Sequence, residues 1–267
     1  LNWDNPAMRR ELYKSIRFWV KKGVEGFRLD VIDQIAKVPE DKITSNGPRL
    51  HEFLRELSAE AFCEEGIVSV GEAWGANVER AKLFSSRDCK ELSMVFQFQH
   101  ICLDQQPGGE KWDLKPLHLP DLKACMAAWQ EGLADEGWNS LFLNNHDLPR
   151  IVSRWGNDCD EHRVNSAKML ATMLHGMQGT PYIFQGEELG MTNYPLRDLS
   201  ESKDVEAHNA WRELVVEQQR FTPEYMMACF HYKGRDNART PMQWTAGEHA
   251  GFSDVPPWIE PAAGYPE

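Results

Sequence analysis

At 267 residues and 42% hydrophobic composition the chain can bury a core of its own and does not need disulfide staples. Its net charge of -12 argues against nucleic acids and anionic membranes, both of which are bound through clustered Lys and Arg, and favours a neutral partner. The cysteines (Cys63, Cys89, Cys102, Cys125, Cys159 and Cys229) form no C-x-x-C pair, and no apolar run reaches the roughly 18 residues of a membrane span, so the expectation is a reduced, soluble, cytoplasmic protein.

In chain order, Asn5-Pro6 offers an N-cap and a first-turn proline, and Leu12, Ile16, Trp19 and Val20 follow at helical spacing until Gly23. Val24 to Val31 then reads as a strand ending in charge. Pro48 opens a second helix with Leu50, Leu54, Leu57 and Ala61 on one face, followed by the strand Ile67 to Val70 running into Gly71-Glu72. A third strand is expected at Met94 to Phe98. A helix over 121–130 leads to the strand Ser140 to Leu143 and on to Asn144-Asn145-His146-Asp147, and a helix over 164–177 leads to the strand Pro181 to Phe184. Strands alternating with helices predict a parallel sheet, and five are too few for a closed eight-stranded barrel. From about Asn193 to Asp236 the sequence is polar and helical without a strand signal. Residues 1–192 are therefore assigned to barrel and 193–267 to an excursion after the last strand, within one catalytic domain. The chain opens at Leu1 inside a helix entry and ends at Glu267 in a Pro-rich loop, so it reads as cut at both ends.

Three of these strands end in acid, at Asp30, Glu72 and His146-Asp147, and in a barrel such ends share one face, so the carboxylates are expected to cluster. Like charges that close cannot all ionise at ordinary pKa values, so one is expected to stay protonated while another remains a charged nucleophile. Retaining glycoside hydrolysis uses that division, with nucleophile and acid about 5 Å apart across the scissile bond. Singly, each motif is also what a structural ion pair or a satisfied buried Glu produces. Asp158 to His162 reads as a charged loop rather than a metal site, and Gly108 to Lys111 lacks the spacing of a phosphate loop.

Gly26-Phe27-Arg28-Leu29-Asp30, Val70-Gly71-Glu72-Ala73-Trp74 and Phe142-Leu143-Asn144-Asn145-His146-Asp147 resemble, in order, three signature regions of the α-amylase family of glycoside hydrolases. Gly179 to Glu188 and Gly234 to Trp244 extend the likeness to the oligo-1,6-glucosidase branch, and Gly71-Glu72-Ala73-Trp74-Gly75 is similar to the run found in bacterial glucan 1,6-α-glucosidases. The resemblance implies a partial (β/α)8 TIM barrel, about strands four to eight. The earlier strands, an inserted small domain and any calcium site would lie upstream, and a C-terminal β-domain downstream. It implies Asp30 as nucleophile, Glu72 as acid/base and Asp147 as the third carboxylate, with Arg28 beside the nucleophile. It further implies that His146 and Arg235 hold the terminal glucose, Arg235 beside an aspartate absent from these residues and with Arg239 as the alternative. Val31 leans towards α-1,6 specificity, and Trp74, Lys111 and Glu206 match the leaving-group side. No cofactor or metal is implied for these residues. The implied substrate is a small oligosaccharide and the implied state a monomer; the implied reaction is hydrolysis of terminal α-1,6-glucosidic bonds. Trehalose-6-phosphate hydrolysis, sucrose isomerisation, or an inactive fragment or binding homologue are the alternatives, and residues 1–267 by themselves are expected to be inactive.

Overall fold

The computed structural model describes residues 1–62, 66–86 and 88–262. Cys63 and the expected Pro-rich end at Glu267 lie outside them, and Cys89, Cys102, Cys125, Cys159 and Cys229 carry free thiols. No helix among the described residues is long and apolar enough to cross a membrane. The chain divides into two compact units: residues 1–103, 118–141 and 177–180 form the first, and 104–117, 142–176 and 181–267 the second.

In the first unit α1 (Pro6–Val20) begins where expected, because the Asn5 side chain accepts the Ala7 N–H and Pro6 needs no partner for its missing donor. Its buried face is Arg9, Tyr13 and Val20, while Trp19, expected on that face, is 52% exposed. β1 (Gly26–Leu29) follows, then α2 (Leu50–Ala61), β2 (Val68–Glu72), α3 (Val78–Ser85), β3 (Met94–Phe96), α4 (Leu119–Gly132), β4 (Ser140–Leu141) and Thr180, the first residue of β5 (Thr180–Pro181). Leu50, Phe53, Leu54, Leu57 and Ala61 bury the apolar stripe of α2 in a core with Tyr13, Ile32, Phe84, Val95 and Trp129. Arg9 ties α1 to α2 through Glu56, with its Nε 3.0 Å from Oε1.

β1, β2 and β3 form a parallel sheet in that order, with Gly26 opposite Val68, Leu29 opposite Gly71, and Glu72 opposite Phe96. A parallel bridge continues from Val95 to Asn139, but β4 and β5 form a separate pair of two-residue strands. The five expected strands are thus present in order: β1, β3 and β4 are shorter than their expected runs, β2 is shifted to take in Gly71 and Glu72, and β5 meets its expected run only at Pro181. In the fourth run Phe142 and Leu143 are buried outside any strand, whereas Ile183 of the fifth run is exposed.

The second unit holds α5 (Ile151–Trp155), α6 (Arg163–His175), α7 (Val205–Ala210), a π-helical turn at Trp211–Glu217, and α8 (Pro223–Lys233). Among the described residues 193–236 contain no strand, as expected. Its core gathers Trp112, Tyr194, Leu196, Leu214, Met226, Cys229 and Phe230. It also encloses an ionic centre. The Asp104 carboxylate is 2.6 Å from Arg154 Nε and 2.7 Å from Lys233 Nζ, and Tyr232 Oη donates to it at 3.2 Å.

Candidate active site

In the first unit the sheet register decides which side chains meet. Side chains alternate along a strand, and residues in register face the same side. Arg28 is opposite Val70, so Arg28 and Asp30 of one strand line up with Val70 and Glu72 of the next. Arg28 bridges the two acids: its Nη1 donates to Asp30 Oδ1, and its Nη2 lies 2.8 Å from Glu72 Oε2. The expectation covered only the contact to Asp30; the contact to Glu72 is new.

The Glu72 side chain is 7% exposed, whereas that of Asp30 is 73% exposed. Glu72 Oε2 also accepts the Val31 N–H at 3.1 Å, and its Oε1 accepts Trp74 Nε1–H at 3.0 Å. Val31 can make that bond because its φ is +39°, in the left-handed region, where a β-branched residue costs on the order of 1–3 kcal/mol. Gly71 leaves room for the turn, since a Cβ there would stand 2.8 Å from Ile32 Cγ2 and 2.7 Å from Leu92 Cδ1. Trp74 stacks on Phe98 with ring centroids 3.9 Å apart and planes 9° apart, and is half exposed. Asp30 and Val31, with Gln34, Ile35 and Lys37, line an open cavity of about 640 Å³. The carboxylate of Asp33, which the sequence did not single out, accepts the Gly75 N–H at 2.9 Å.

In the second unit Asn145 Oδ1 accepts the Asp147 N–H at 2.8 Å, and Asn144 Oδ1 accepts the Ile151 N–H at the start of α5 at 2.7 Å, so the Asn-Asn pair shapes the turn and satisfies a first-turn donor of the helix. Asp147 Oδ1 receives Arg239 Nη2 at 2.8 Å and Arg235 Nη1 at 3.5 Å, and its Oδ2 is 3.2 Å from His146 Nε2. Arg239 also donates from Nε to the His146 carbonyl at 3.1 Å. The closer guanidinium is therefore that of Arg239, which the sequence named second.

Arg235 is committed elsewhere. Its Nε lies 3.0 Å from Asp204 Oδ2 and its Nη2 donates to Asp204 Oδ1, a two-point fork on a buried carboxylate. That bond raises the Arg235 pKa above its ordinary value. Burial opposes the Asp204 charge, yet Arg235 and the Glu206 N–H hold its pKa below the ordinary carboxylate value. Glu206 Oε2 is 3.3 Å from Arg235 Nε and 2.5 Å from Lys111 Nζ. Burial lowers the Lys111 pKa, with Glu206 opposing. Lys111, Glu206, Arg235 and Asp204 thus form one charged string. Asp204 was missed, although an Asp two residues before Glu206 at a helix start is a recognisable N-cap, and its Oδ1 does accept the Glu206 N–H at 3.0 Å.

Residues 1–267 match the family model of the α-amylase catalytic domain. The chain is similar to an oligo-1,6-glucosidase of Parageobacillus thermoglucosidasius, with 49% identity over 282 residues, covering 100% of this chain and 50% of the relative. A glucan 1,6-alpha-glucosidase of Streptococcus dysgalactiae subsp. equisimilis is 49% identical over 270 residues, covering 100% and 50%. Among solved structures, trehalose-6-phosphate hydrolase of Bacillus licheniformis matches with a TM-score of 0.91 at 42% identity, covering 100% of this chain and 49% of that one. Isomaltulose synthase from Klebsiella sp. LX3 matches with a TM-score of 0.94 at 36% identity, covering 100% and 50%. The chain spans about half the length of the curated relatives it matches.

Proposed function

The chain belongs to the α-amylase catalytic-domain family, and from that premise we propose that it carries the reacting groups of a retaining glucosidase acting on terminal α-1,6-glucosidic bonds of isomaltosaccharides and dextran ends. An Asp30 carboxylate oxygen attacks the anomeric carbon while the bond to the leaving oxygen breaks, and that oxygen takes the proton of Glu72. Glu72 then accepts a proton from water, whose oxygen attacks the same carbon and releases Asp30. Asp147 is assigned stabilisation of the oxocarbenium-like transition state. His146, with Arg235 or Arg239, is assigned the terminal glucose; Val31 the linkage preference; Trp74, Lys111 and Glu206 the next sugar. The reaction draws on these side chains and water and calls for no cofactor. In this reading residues 1–192 supply about strands four to eight of a (β/α)8 barrel, and 193–267 an excursion of the same domain.

The observation that carries the proposal is Arg28 on both Asp30 and Glu72 at the ends of neighbouring parallel strands. One guanidinium holding two carboxylates fits the short separation that a retaining mechanism needs. The names of the relatives near 49% identity support the α-1,6 linkage. The likeness to trehalose-6-phosphate hydrolase supports a second reading, but Lys111, the lysine assigned to the leaving-group side, is already engaged by Glu206. The test is glucose release by the intact protein from isomaltotriose, maltotriose and trehalose 6-phosphate, repeated with Asp30→Asn. Release from isomaltotriose, lost on substitution, is expected. Preference for the phosphosugar would transfer the assignment to the second reading, and activity that survives Asp30→Asn would overturn the mechanism.

A further inference from the structure

The first unit contains another acid that the proposed chemistry does not use. Asp33 sits in the 3-10 turn Ile32–Gln34, just after the proposed nucleophile, and is 1% exposed. Its Oδ2 accepts the Gly75 N–H at 2.9 Å, its carbonyl accepts the Asn46 N–H at 2.7 Å, and its Oδ1 is buried without a hydrogen-bond partner. Burial raises its pKa, with the Gly75 N–H opposing. A buried carboxyl with one oxygen unsatisfied is costly, and an apolar side chain would serve packing alone better. The position therefore asks for a reason other than packing.

The reason lies in what Gly75 adjoins. A Cβ on Gly75 would stand 2.3 Å from Asn46 Nδ2 and 3.2 Å from Asp33 Oδ2, so the backbone of the 72–75 loop is seated directly on the turn that Asp33 belongs to. The same turn reaches the loop a second time, through the Val31 N–H on Glu72 Oε2. Between these two attachments runs Glu72-Ala73-Trp74-Gly75, and within it Trp74 Nε1–H donates to Glu72 Oε1. Fixing Gly75 fixes the backbone of Trp74, and the indole then fixes the carboxyl of Glu72.

We propose that Asp33 is a positioning residue for the acid/base: by accepting the Gly75 N–H it holds the 72–75 loop on the nucleophile turn, and proton delivery by Glu72 to the leaving oxygen depends on it. This rests on the reading of Glu72 as the acid. Asp33 itself exchanges no proton with substrate. Its requirement is an acceptor oxygen at that place, so an amide should serve and an alkyl group should not.

Leaving groups distinguish this role from a general structural one. A sugar alkoxide must be protonated as it departs, whereas nitrophenolate leaves without a proton, so a misplaced acid penalises only the former. The experiment measures kcat/KM of the intact protein on isomaltose and on p-nitrophenyl α-glucoside for the unmodified protein and for Asp33→Ala, Asp33→Leu and Asp33→Asn. The ratio of the two values is independent of how much of each variant is folded, and Asp33→Leu retains bulk if Asp33→Ala collapses. For Asp33→Ala and Asp33→Leu the isomaltose value is expected to fall at least about tenfold further than the nitrophenyl value, and for Asp33→Asn the ratio should stay within about twofold of the unmodified one. An unchanged ratio in the alanine and leucine variants, or an asparagine variant as selective in its loss as they are, overturns the proposal. An unmodified protein that cleaves neither substrate would instead remove the underlying assignment of Glu72.

Discussion

Arg28 is the residue on which the first unit's arrangement turns, because its planar fork presents two nitrogens to two carboxylates. A lysine in its place offers one point charge on a flexible stem. Arg28→Lys should therefore lose one charge-assisted bond, about 1.5–3 kcal/mol, or roughly a ten- to hundredfold drop in kcat/KM on isomaltotriose with little change in the melting temperature. An unchanged kcat/KM would show that bridging the two acids is irrelevant to turnover. The contact of Arg28 with Asp30 within the motif Gly26 to Asp30 was legible in the sequence, but the second partner of Arg28 was not. That partner is Glu72, on a strand whose register with β1 no local pattern specifies. The same holds for Asp204. Its side chain meets Arg235, 31 residues away, so only its N-cap position could have drawn notice.

Helices and strands are where the sequence read best, since periodicity and caps are local properties. Asn5-Pro6 started α1, and the apolar stripe of α2 is the one that is buried. α3 and α5 were not foreseen: they are 8 and 5 residues long, too short for a clear helical period to show. Between elements of the second unit, Asp104 joins Arg154 on α5 to Tyr232 and Lys233 on α8. Burial works against its charge, but Arg154 and Lys233 hold its pKa down at about 2. Unfolded Asp titrates near 3.9 (an ordinary value), so between the two values the unfolded chain binds more protons. The contribution is thus fully present above about pH 4 and is lost as the pH falls through about 2, amounting to about 2–3 kcal/mol. Asp104→Asn, which leaves Arg154 and Lys233 buried without their counter-charge, should cost about 3–5 kcal/mol in urea unfolding at pH 7. It should also flatten the decline of stability between pH 4 and 2. Equal acid sensitivity in both proteins would assign that decline to other carboxylates.

Across residues 1–267, the net charge of -12 contributes a long-range field and says little about the fold. A neutral oligosaccharide feels none of it, so kcat/KM on isomaltotriose should be flat between about 0.05 and 0.5 M salt. A phosphorylated sugar approaching an acidic surface would be repelled at low salt, and its kcat/KM should rise as screening increases. A strong salt dependence with isomaltotriose would mean that a charged step limits turnover. Each unit encloses its own apolar core, one around α1, α2 and the three-stranded sheet, the other around α7, the π-helical turn and α8.

By itself the sequence determined the order of the five strands and of the longer helices, the acids Asp30 and Glu72 where β1 and β2 end, and the family resemblance, because each is written within a dozen or so neighbouring residues; Asp147, expected at a strand end, lies six residues beyond β4. Tertiary structure alone decided that Glu72 shares Arg28 with Asp30, that Asp33 receives Gly75 from 42 residues away, that Arg239 rather than Arg235 lies closer to Asp147, and that Asp104 pairs with Arg154 across 50 residues. Those partnerships depend on sheet register and on how loops are seated, which arise from packing between distant segments and leave no periodic trace along the chain.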